Sequence, residues 1–199
     1  MALKTLDNFK AQLTGGGARP NLFEVSIAFP DQGLATTSSF TQPVTKPTGA
    51  TSTEDLLVFM VKAAALPASN ITPIEIPFRG RTLKVAGERT FDTWTITVLN
   101  DVDFKIRTSF EQWMNGISRI ADASGVTNPS GYQKTATVSQ LNRQGDAVRQ
   151  YKFFGIFPTN ISQIDLSMDS TDTIEEYTVE FQVQYWEALD TDTDRPAIN

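Results

Sequence analysis

Cysteine and histidine are both absent from this chain of 199 residues. Without thiolate or imidazole ligands, disulfide bonds, the usual kinds of zinc site, histidine- or thiolate-ligated haem and iron–sulfur clusters are excluded. The lack of imidazole also excludes the hydrolase triad and every mechanism in which histidine acts as the general base. We therefore expect no metal or other cofactor, and we expect that the chain is not an enzyme.

Long hydrophobic runs are lacking as well. The most apolar stretch, at 56–66, is interrupted by Lys62 and is far shorter than the roughly 20 residues of a membrane-spanning helix. The first 13 residues contain no apolar run of the length that a signal peptide requires. The sequence thus predicts neither membrane insertion nor a secretion signal.

Acidic residues outnumber basic ones by 23 to 17, which gives a formal net charge of -6. Such a surface disfavours tight, sequence-independent binding to DNA, because that binding depends on Lys and Arg at the phosphates. Apolar residues make up 40% and charged residues 20% of the chain, as in ordinary globular proteins. At this length we expect a single domain that spans 1–199.

Apolar residues that alternate with polar ones predict a mainly β chain. In the last and most regular strand, Tyr177, Val179, Phe181, Val183 and Tyr185 are expected to face the core. The other strands are predicted at 21–29, 57–63, 74–78, 81–85, 90–99, 135–141 and 147–157. The strands at 135–141 and 147–157 are expected to form a hairpin across a short connection that contains a glycine.

One strong helix is predicted from about residue 103 to residue 121. Phe110, Trp113 and Ile120 belong to its continuous apolar stripe. Asp101 or Asp103 is the expected cap, because a carboxylate is favourable at the positive end of a helix. Seven or eight strands and this helix predict a β-sandwich or barrel whose open end is covered by the helix.

Three segments lie outside this framework. Leu3, Leu6, Phe9 and Leu13 have nearly helical spacing and predict a short amphipathic helix packed on the body. Residues 30–55 are rich in Thr, Ser, Pro and Gly and are expected to form a long exposed loop. The acidic tail at 190–199 is expected to be loose.

Acidic clusters give little evidence of a metal or catalytic site. The alternating aspartates at 190–194 lack the later glycine and glutamate of a calcium loop. Asp165, Asp169 and Asp172 lie between two strands, where turn chemistry alone favours aspartate. No pair of carboxylates is marked as buried, so the sequence does not favour a glycosidase.

Two sets of polar residues are candidates for interaction. Glu176, Glu180, Gln182 and Gln184 form the outward row of the last strand, which suits a wetted wall. Arg79, Lys84, Glu88 and Arg89 are concentrated within a short span between strands. This mixed charge is compatible with an ordinary solvated loop and also with a self-association surface that sets the register between copies.

At these residues the sequence resembles the tail tube protein family of contractile-tailed, T-even-like bacteriophages. The resemblance covers nearly the whole chain in order, and the motifs ALPA, VAGERTFDTW, FPTN and YTVEFQVQYWE make it specific. The segments that carry it are 18–27 (ARPNLFEVSI), 62–101, 110–113 (FEQW), 131–143 (GYQKTATVSQLNR) and 155–187. Residues 30–55 depart from it and resemble an insertion into a loop that shorter relatives close quickly.

The resemblance implies a structural role in the virion. Members of this family form hexameric rings that stack into a tube inside a contractile sheath, and the genome leaves through the channel. The implied partners are further copies of the chain, the sheath protein, baseplate and tail-terminator proteins at the ends, and genomic DNA that passes without specific binding. Assembly is expected in the cytoplasm of the host cell.

The resemblance also gives the two polar sets an expected role. We expect Glu176, Glu180, Gln182 and Gln184 to face the channel or a neighbouring subunit. We expect Arg79, Lys84, Glu88 and Arg89 to contact the next ring.

Three other functions stay open on the sequence alone. The first is a ring or tube protein of a related bacterial injection or secretion system. The second is a carbohydrate-binding β-sandwich, which would require an exposed aromatic residue, whereas Trp94, Trp113 and Trp186 are predicted to lie in the core. The third is a glycosidase with two neighbouring carboxylates.

Overall fold

The computed structural model describes residues 6–12, 17–30 and 53–190. The helices in these ranges are α1 (Leu6–Gln12), α2 (Thr53–Met60), α3 (Lys105–Ile117) and α4 (Pro129–Tyr132). The strands are β1 (Phe23–Ile27), β2 (Val61–Ala64), β3 (Asn70–Phe78), β4 (Arg81–Thr90), β5 (Trp94–Leu99), β6 (Lys134–Leu141), β7 (Ala147–Ile161), β8 (Glu176–Gln182) and β9 (Tyr185–Asp190). The chain is thus mainly β, as predicted.

Seven strands form one sheet, in the order β1-β6-β7-β8-β5-β2, with β9 also paired to β7. The long strand β7 pairs with β9 through its first half and with β8 through its second half. Among the described residues β1 and β2 are not paired with each other, so this sheet is open rather than closed into a barrel. β3 and β4 form a separate two-stranded hairpin.

The hydrophobic core lies on one face of the sheet, where α2 and α3 pack against it. The ring of Phe181 is central to this core, with centroids 5.4 Å from Trp94, 5.8 Å from Phe110 and 6.3 Å from Trp113. Most of the inward row predicted for the last strand is confirmed by the burial of Tyr177, Val179, Phe181 and Val183. The strand predicted at 90–99 begins only at Trp94, and its buried row is Trp94, Ile96 and Val98. Trp113 is buried as predicted, while Trp186 is only partly buried.

Two other β predictions are also confirmed. β6 and β7 form the expected hairpin, in which Leu141 lies opposite Ala147. The alternation in β1 places Val25 and Ile27 in the core, with Phe23 partly buried beside them. In β1 and at Ala136 and Val138 of β6, buried residues alternate with polar ones, so the period of two is clear there.

The strand predicted at 57–63 is wrong over its first half, which belongs to α2. Leu57 is buried and Leu56 and Met60 pack beside it, on one side of a helix. A continuous apolar run has no period that distinguishes a buried strand from a buried helix. The acidic first turn of α2 supplies the helical signal, and Glu54 Oε1 also accepts a hydrogen bond from the Phe29 N–H at 3.0 Å.

The main helix ends at Ile117, four residues before the predicted end at 121. Ile120, which the apolar stripe assigned to the core, is 95% exposed. The chain folds back at once, because the Val126 N–H donates to the carbonyl oxygen of Gly116 at 3.1 Å. A Cβ atom at Gly125 would lie 1.9 Å from the carbonyl oxygen of Ile117, so only glycine permits this close return.

The prediction that Tyr185 faces the core is also wrong. Val183 and Gln184 separate β8 from β9, which both pair with β7, and Gln184 and Tyr185 are both exposed. The interruption shifts the alternation, so Trp186 packs against the core in place of Tyr185. Tyr185 instead stacks on Phe154, with ring centroids 4.8 Å apart.

The three segments outside the framework differ in outcome. α1 forms, but Leu6 and Phe9 are about two-thirds exposed at 67% and 62%, so its predicted packing on the body is wrong for these residues. Leu3 and Leu13 lie outside the described residues, as do most of the predicted 30–55 loop and nearly all of the tail at 190–199.

Asp101, rather than Asp103, supplies the carboxylate at the start of α3. Its two oxygens accept the N–H of Lys105 at 3.0 Å and that of Ile106 at 3.4 Å. Asp103 instead binds the exposed Lys105 ammonium group at 2.8 Å and raises the pKa of that group.

We expect Asp101→Ala to lower the free energy of unfolding by about 1 kcal/mol, because two backbone donors lose their acceptor. Asp103→Ala is the matched control and is expected to leave stability nearly unchanged, since an exposed ion pair contributes little. Urea denaturation of both variants tests this assignment. Equal losses from the two substitutions would contradict it.

Candidate interaction surfaces

The β3–β4 hairpin projects from the body of the domain, since of its strand residues only Gly87 is even partly buried. Two indole groups anchor the segment that leads into it. Trp94 Nε1 donates to the carbonyl oxygen of Ala65 at 2.9 Å, and Trp186 Nε1 donates to that of Ala68 at 3.2 Å. The hairpin is therefore held at its base while its two faces are left exposed.

One face of this hairpin is apolar. The register places Ile74 opposite Val85 and Ile76 opposite Leu83, with Phe78 following on the same side. Their exposed fractions run from 43% for Val85 to 66% for Phe78. We call these five residues the apolar hairpin face. A contiguous exposed patch of large apolar side chains marks an interaction surface.

The opposite face of the hairpin, here called its polar face, carries an ion pair among small residues and prolines, including Pro73, Pro77 and Ala86. Lys84 lies across from Glu75, and their Nζ and Oε1 atoms are 3.3 Å apart. Thr82, opposite Pro77, is on this side as well. The two faces of the hairpin thus differ in character, and neither is buried by the described residues.

The four charged residues predicted for ring contact all lie on this hairpin but do not form one cluster. Lys84 is bound to Glu75 on the polar face. Arg79 is in the turn with φ 46°, and its guanidinium carbon is 5.5 Å from the ring centroid of Phe78. Glu88 and Arg89 lie nearer the base of the hairpin.

Sequence reasoning missed the apolar hairpin face, although its signal is present. Ile74, Ile76 and Phe78 alternate with other residues, as do Leu83 and Val85. The sequence-based prediction for this segment considered only the charged residues that lie among these apolar ones. The structure places charge and apolar area on the same projecting element.

A second surface is the face of the main sheet opposite the core. On β8 it is formed by Glu176, Thr178, Glu180 and Gln182, and all except the half-buried Glu180 are exposed. Thr95 of β5 lies beside Glu180 in the register. The same face continues across the other strands through Glu24, Ser26, Thr97, Thr137, Ser139, Gln150, Lys152 and Glu187. Hydroxyl and amide groups are the commonest on this polar sheet face, although Leu99, Phe154, Tyr185 and Leu189 lie on the same side of their strands.

The polar sheet face is close to balanced in charge. Glu176 forms an ion pair with Lys62 of β2, and Glu187 lies opposite Lys152. The charged groups are those of Glu24, Glu176, Glu180, Glu187, Lys62 and Lys152. Four carboxylates and two ammonium groups leave a formal charge of about -2 on this face, so the acidity of the chain is not concentrated there.

Gln184 stands apart from this row because it lies at the interruption between β8 and β9. Its backbone N–H donates to the carbonyl oxygen of Phe154 at 3.2 Å. Its side chain lies across Gly155, where an added Cβ atom would come within 2.5 Å of the Gln184 Cγ atom. The structure therefore brings three of the four predicted wall residues into one row and places the fourth against β7.

Comparison with known proteins identifies the family. The phage tail tube protein family matches residues 18–189. The chain belongs to this family. Tail tube protein gp19 of Enterobacteria phage T4 is 33% identical over 182 residues, which cover 91% of this chain and 98% of that protein. The corresponding protein of phage T6 is 32% identical over the same shares.

The resemblance found in the sequence is thereby confirmed. Tail tube proteins are structural components of the virion, so the family is a structural one rather than a family of enzymes. A tail tube protein of Serratia phage KSP90 is more distant, at 24% identity over 94% of this chain and 97% of its own length.

Solved structures show the same fold in contractile assemblies. A chain of the anti-feeding prophage baseplate matches with a TM-score of 0.57 and 10% identity, covering 87% of this chain and 96% of its own. A chain of an extracellular contractile injection system, from a sheath–tube complex in the extended state, matches with a TM-score of 0.56 and 16% identity, covering 90% and 97%. At these identities the likeness concerns the fold.

Within residues 6–12, 17–30 and 53–190, no helix is both long and apolar enough to span a membrane. No group of three or more acidic side chains in those residues is arranged to hold a metal ion. Asp165 and Asp169 take part only in short-range hydrogen bonds with Gln163 and Ser167, which is ordinary turn chemistry.

Proposed function

We propose that six copies of this chain form a ring, that rings stack into the inner tube of a contractile phage tail, and that the genome passes through the channel. Membership of the tail tube family supports the tube, and the fold shared with contractile assemblies supports the geometry. The number of copies and the passage of DNA are part of the proposal.

The observation that carries this proposal is the apolar hairpin face. Five large apolar side chains on a projecting element are exposed within one chain. Removing such area from water is favourable by about 25 cal/mol per Å², from which the entropic cost of association is subtracted. A second copy of the chain is the occupant that a self-assembling tube provides, and repetition of one such contact builds an extended assembly.

The open edges of the main sheet fit the same function. β1 and β2 are its edge strands, and in the described part of the chain each has a strand partner on one side only. Exposed edges invite pairing with another chain. In the proposed ring, neighbouring copies satisfy these edges and join their sheets around the channel.

The polar sheet face is the surface that we assign to the channel, with Glu176, Glu180, Gln182 and Gln184 as candidate lining or subunit-facing residues. Its weak negative charge and its many hydroxyl and amide groups disfavour adhesion of a phosphate backbone. DNA would therefore slide along it without specific binding. On the outside we place the sheath protein, and at the tube ends the baseplate and tail-terminator proteins.

The hairpin charges are assigned to contacts between rings, as electrostatic guides rather than as the main source of affinity. The candidates are Arg79, Lys84, Glu88 and Arg89. The single domain spanning 1–199, its inserted loop at 30–55 and its tail at 190–199 are part of this proposal, as is assembly in the host cytoplasm.

A tube of a bacterial injection system is the second candidate function, because the fold is shared with such a system at a TM-score of 0.56. The identity of 33% to a T4 tail tube protein favours the phage tail, since the injection-system chain is only 16% identical.

Negative-stain electron microscopy of the purified chain over a concentration series tests self-assembly. We expect rings at moderate concentration and stacked tubes at higher concentration, because association follows mass action. The class averages also give the number of copies per ring. Monodisperse monomers at every concentration would overturn the proposal and favour a binding module, for which a glycan screen would follow.

A further inference from the structure

A second group of exposed apolar side chains lies on two connections at the opposite end of the sheet from the hairpin base. It consists of Val102 in the β5–α3 connection and Leu166, Met168 and Ile174 in the β7–β8 connection. Their exposed fractions are 96%, 79%, 100% and 71%. We call these four residues the end-loop surface.

Hydrogen bonds hold the two connections of this surface together. Both the backbone N–H and the side-chain Nδ2 of Asn100 donate to Glu175, at 2.9 Å and 2.8 Å. Arg107 Nη1 donates to the carbonyl oxygen of Ser162 at 3.2 Å. Both ends of the β7–β8 connection are thus hydrogen-bonded to residues around the start of α3. The connection carries Leu166, Met168 and Ile174 between these two fixed ends.

The register places the hairpin and the end-loop surface at opposite ends of the same strands. β5 begins at Trp94, which anchors the approach to the hairpin, and ends at Leu99, next to the β5–α3 connection. Leu99 lies opposite Glu176, where the β7–β8 connection ends. Six residues of strand separate the two surfaces by about 17 Å or more.

The two surfaces are complementary in charge as well as in character. The hairpin residues 70–90 contain four basic and two acidic side chains, whereas the connection at 162–175 contains four acidic side chains and no basic one. Opposite net charges favour encounter between two apolar surfaces and set their orientation. Two hairpins, in contrast, would bring like charge together.

We infer that the apolar hairpin face of one copy docks on the end-loop surface of a copy in the adjacent ring. This inference rests on the proposed function and names the acceptor surface that the hairpin requires. The apolar hairpin face and the end-loop surface occupy opposite ends of one sheet, so the contact between two copies is head-to-tail. Each pair of copies therefore still has one unoccupied hairpin face and one unoccupied end-loop surface. Such a contact propagates without closing, as a stack of rings requires.

Cysteine cross-linking tests this contact directly, because the natural chain contains no cysteine and therefore gives no background. Leu83→Cys and Met168→Cys are made in separate chains that carry tags of different size, and both positions are exposed, so folding is preserved. The chains are assembled together and oxidised. A disulfide needs Cα atoms about 4.4–6.8 Å apart, so we expect roughly tenfold more mixed dimer than with Thr178→Cys as the matched exposed partner of Leu83→Cys.

A chain that carries both substitutions distinguishes a contact between rings from a contact within one ring. A disulfide inside one chain would give a monomer of altered mobility on a non-reducing gel and would not extend the ladder of cross-linked chains. Contacts between rings give a covalent ladder that continues past the number of copies in one ring. Contacts within a ring give a ladder that stops at that number, which would overturn the inference.

The remaining outcomes separate this inference from the proposed function. Normal tubes with no mixed dimer above the Thr178→Cys control, or with Leu83→Cys homodimers only, would overturn the docking assignment while tube formation stands. If the unmodified chain forms neither rings nor tubes, both fail together.

Discussion

Leu83→Asp abolishes tube formation and leaves the subunit folded: this is the largest effect on assembly that we expect. Leu83 is 60% exposed on the apolar hairpin face, opposite Ile76, so its replacement removes nothing from the core. In an assembled contact the new carboxylate loses water without gaining a partner. That costs at least about 2 kcal/mol per contact, or roughly 30-fold in its equilibrium constant, and the loss recurs along the stack.

Thr82→Asp is the matched control, since it adds the same charge to the neighbouring residue on the polar face of the hairpin. Sedimentation velocity and electron microscopy give the assembly state of both variants, and circular dichroism monitors the fold. We expect tubes from Thr82→Asp and only small species from Leu83→Asp. Tubes of normal length from Leu83→Asp would show that the apolar hairpin face is not buried on assembly.

Phe181→Ala is expected to have the largest effect on subunit stability. Phe181 is fully buried, and its ring contacts the rings of Trp94, Phe110 and Trp113, which link β5 and β8 to α3. Removing the ring loses its transfer free energy and leaves a cavity between the sheet and the helix. We expect the free energy of unfolding to fall by about 3–5 kcal/mol.

Phe78→Ala removes the same side chain from an exposed site and serves as the control. Phe78 is 66% exposed on the hairpin, so its removal is expected to change stability by no more than about 0.5 kcal/mol. Urea denaturation at concentrations too low for assembly compares the two. Similar losses from both would mean that the hairpin is packed in the isolated subunit.

The two-residue alternation of the strands was enough to predict much of the sheet, and short sequence motifs were enough to predict the family. Trp94, Ile96 and Val98 alternate with threonines, and the same period in β8 predicts which side of that strand is buried. These strands have one wet and one dry face, so each residue's environment follows from its parity. The VAGERTFDTW and FPTN motifs indicated the tail tube family without any knowledge of packing.

Other elements could not be predicted because distant residues decide them. The run at 57–60 is helical since it packs beside β1 and α3, and no local period revealed that. Ile120 has helical spacing, yet the return of the chain through Gly125 ends the helix before it. Tyr185 continues the alternation of β8 in sequence, but the interruption at Val183 and Gln184 turns it away from the core.

By itself, the sequence determined the composition of each face: apolar residues at every second position of the hairpin, and polar ones along β8. Backbone geometry sets that period, so it can be read locally. Only the tertiary structure decided that nothing in the described chain covers the hairpin, and that the connections carrying Val102, Leu166, Met168 and Ile174 lie at the other end of the sheet. Coverage depends on contacts between residues far apart in the chain, and the period of a strand contains no information about them.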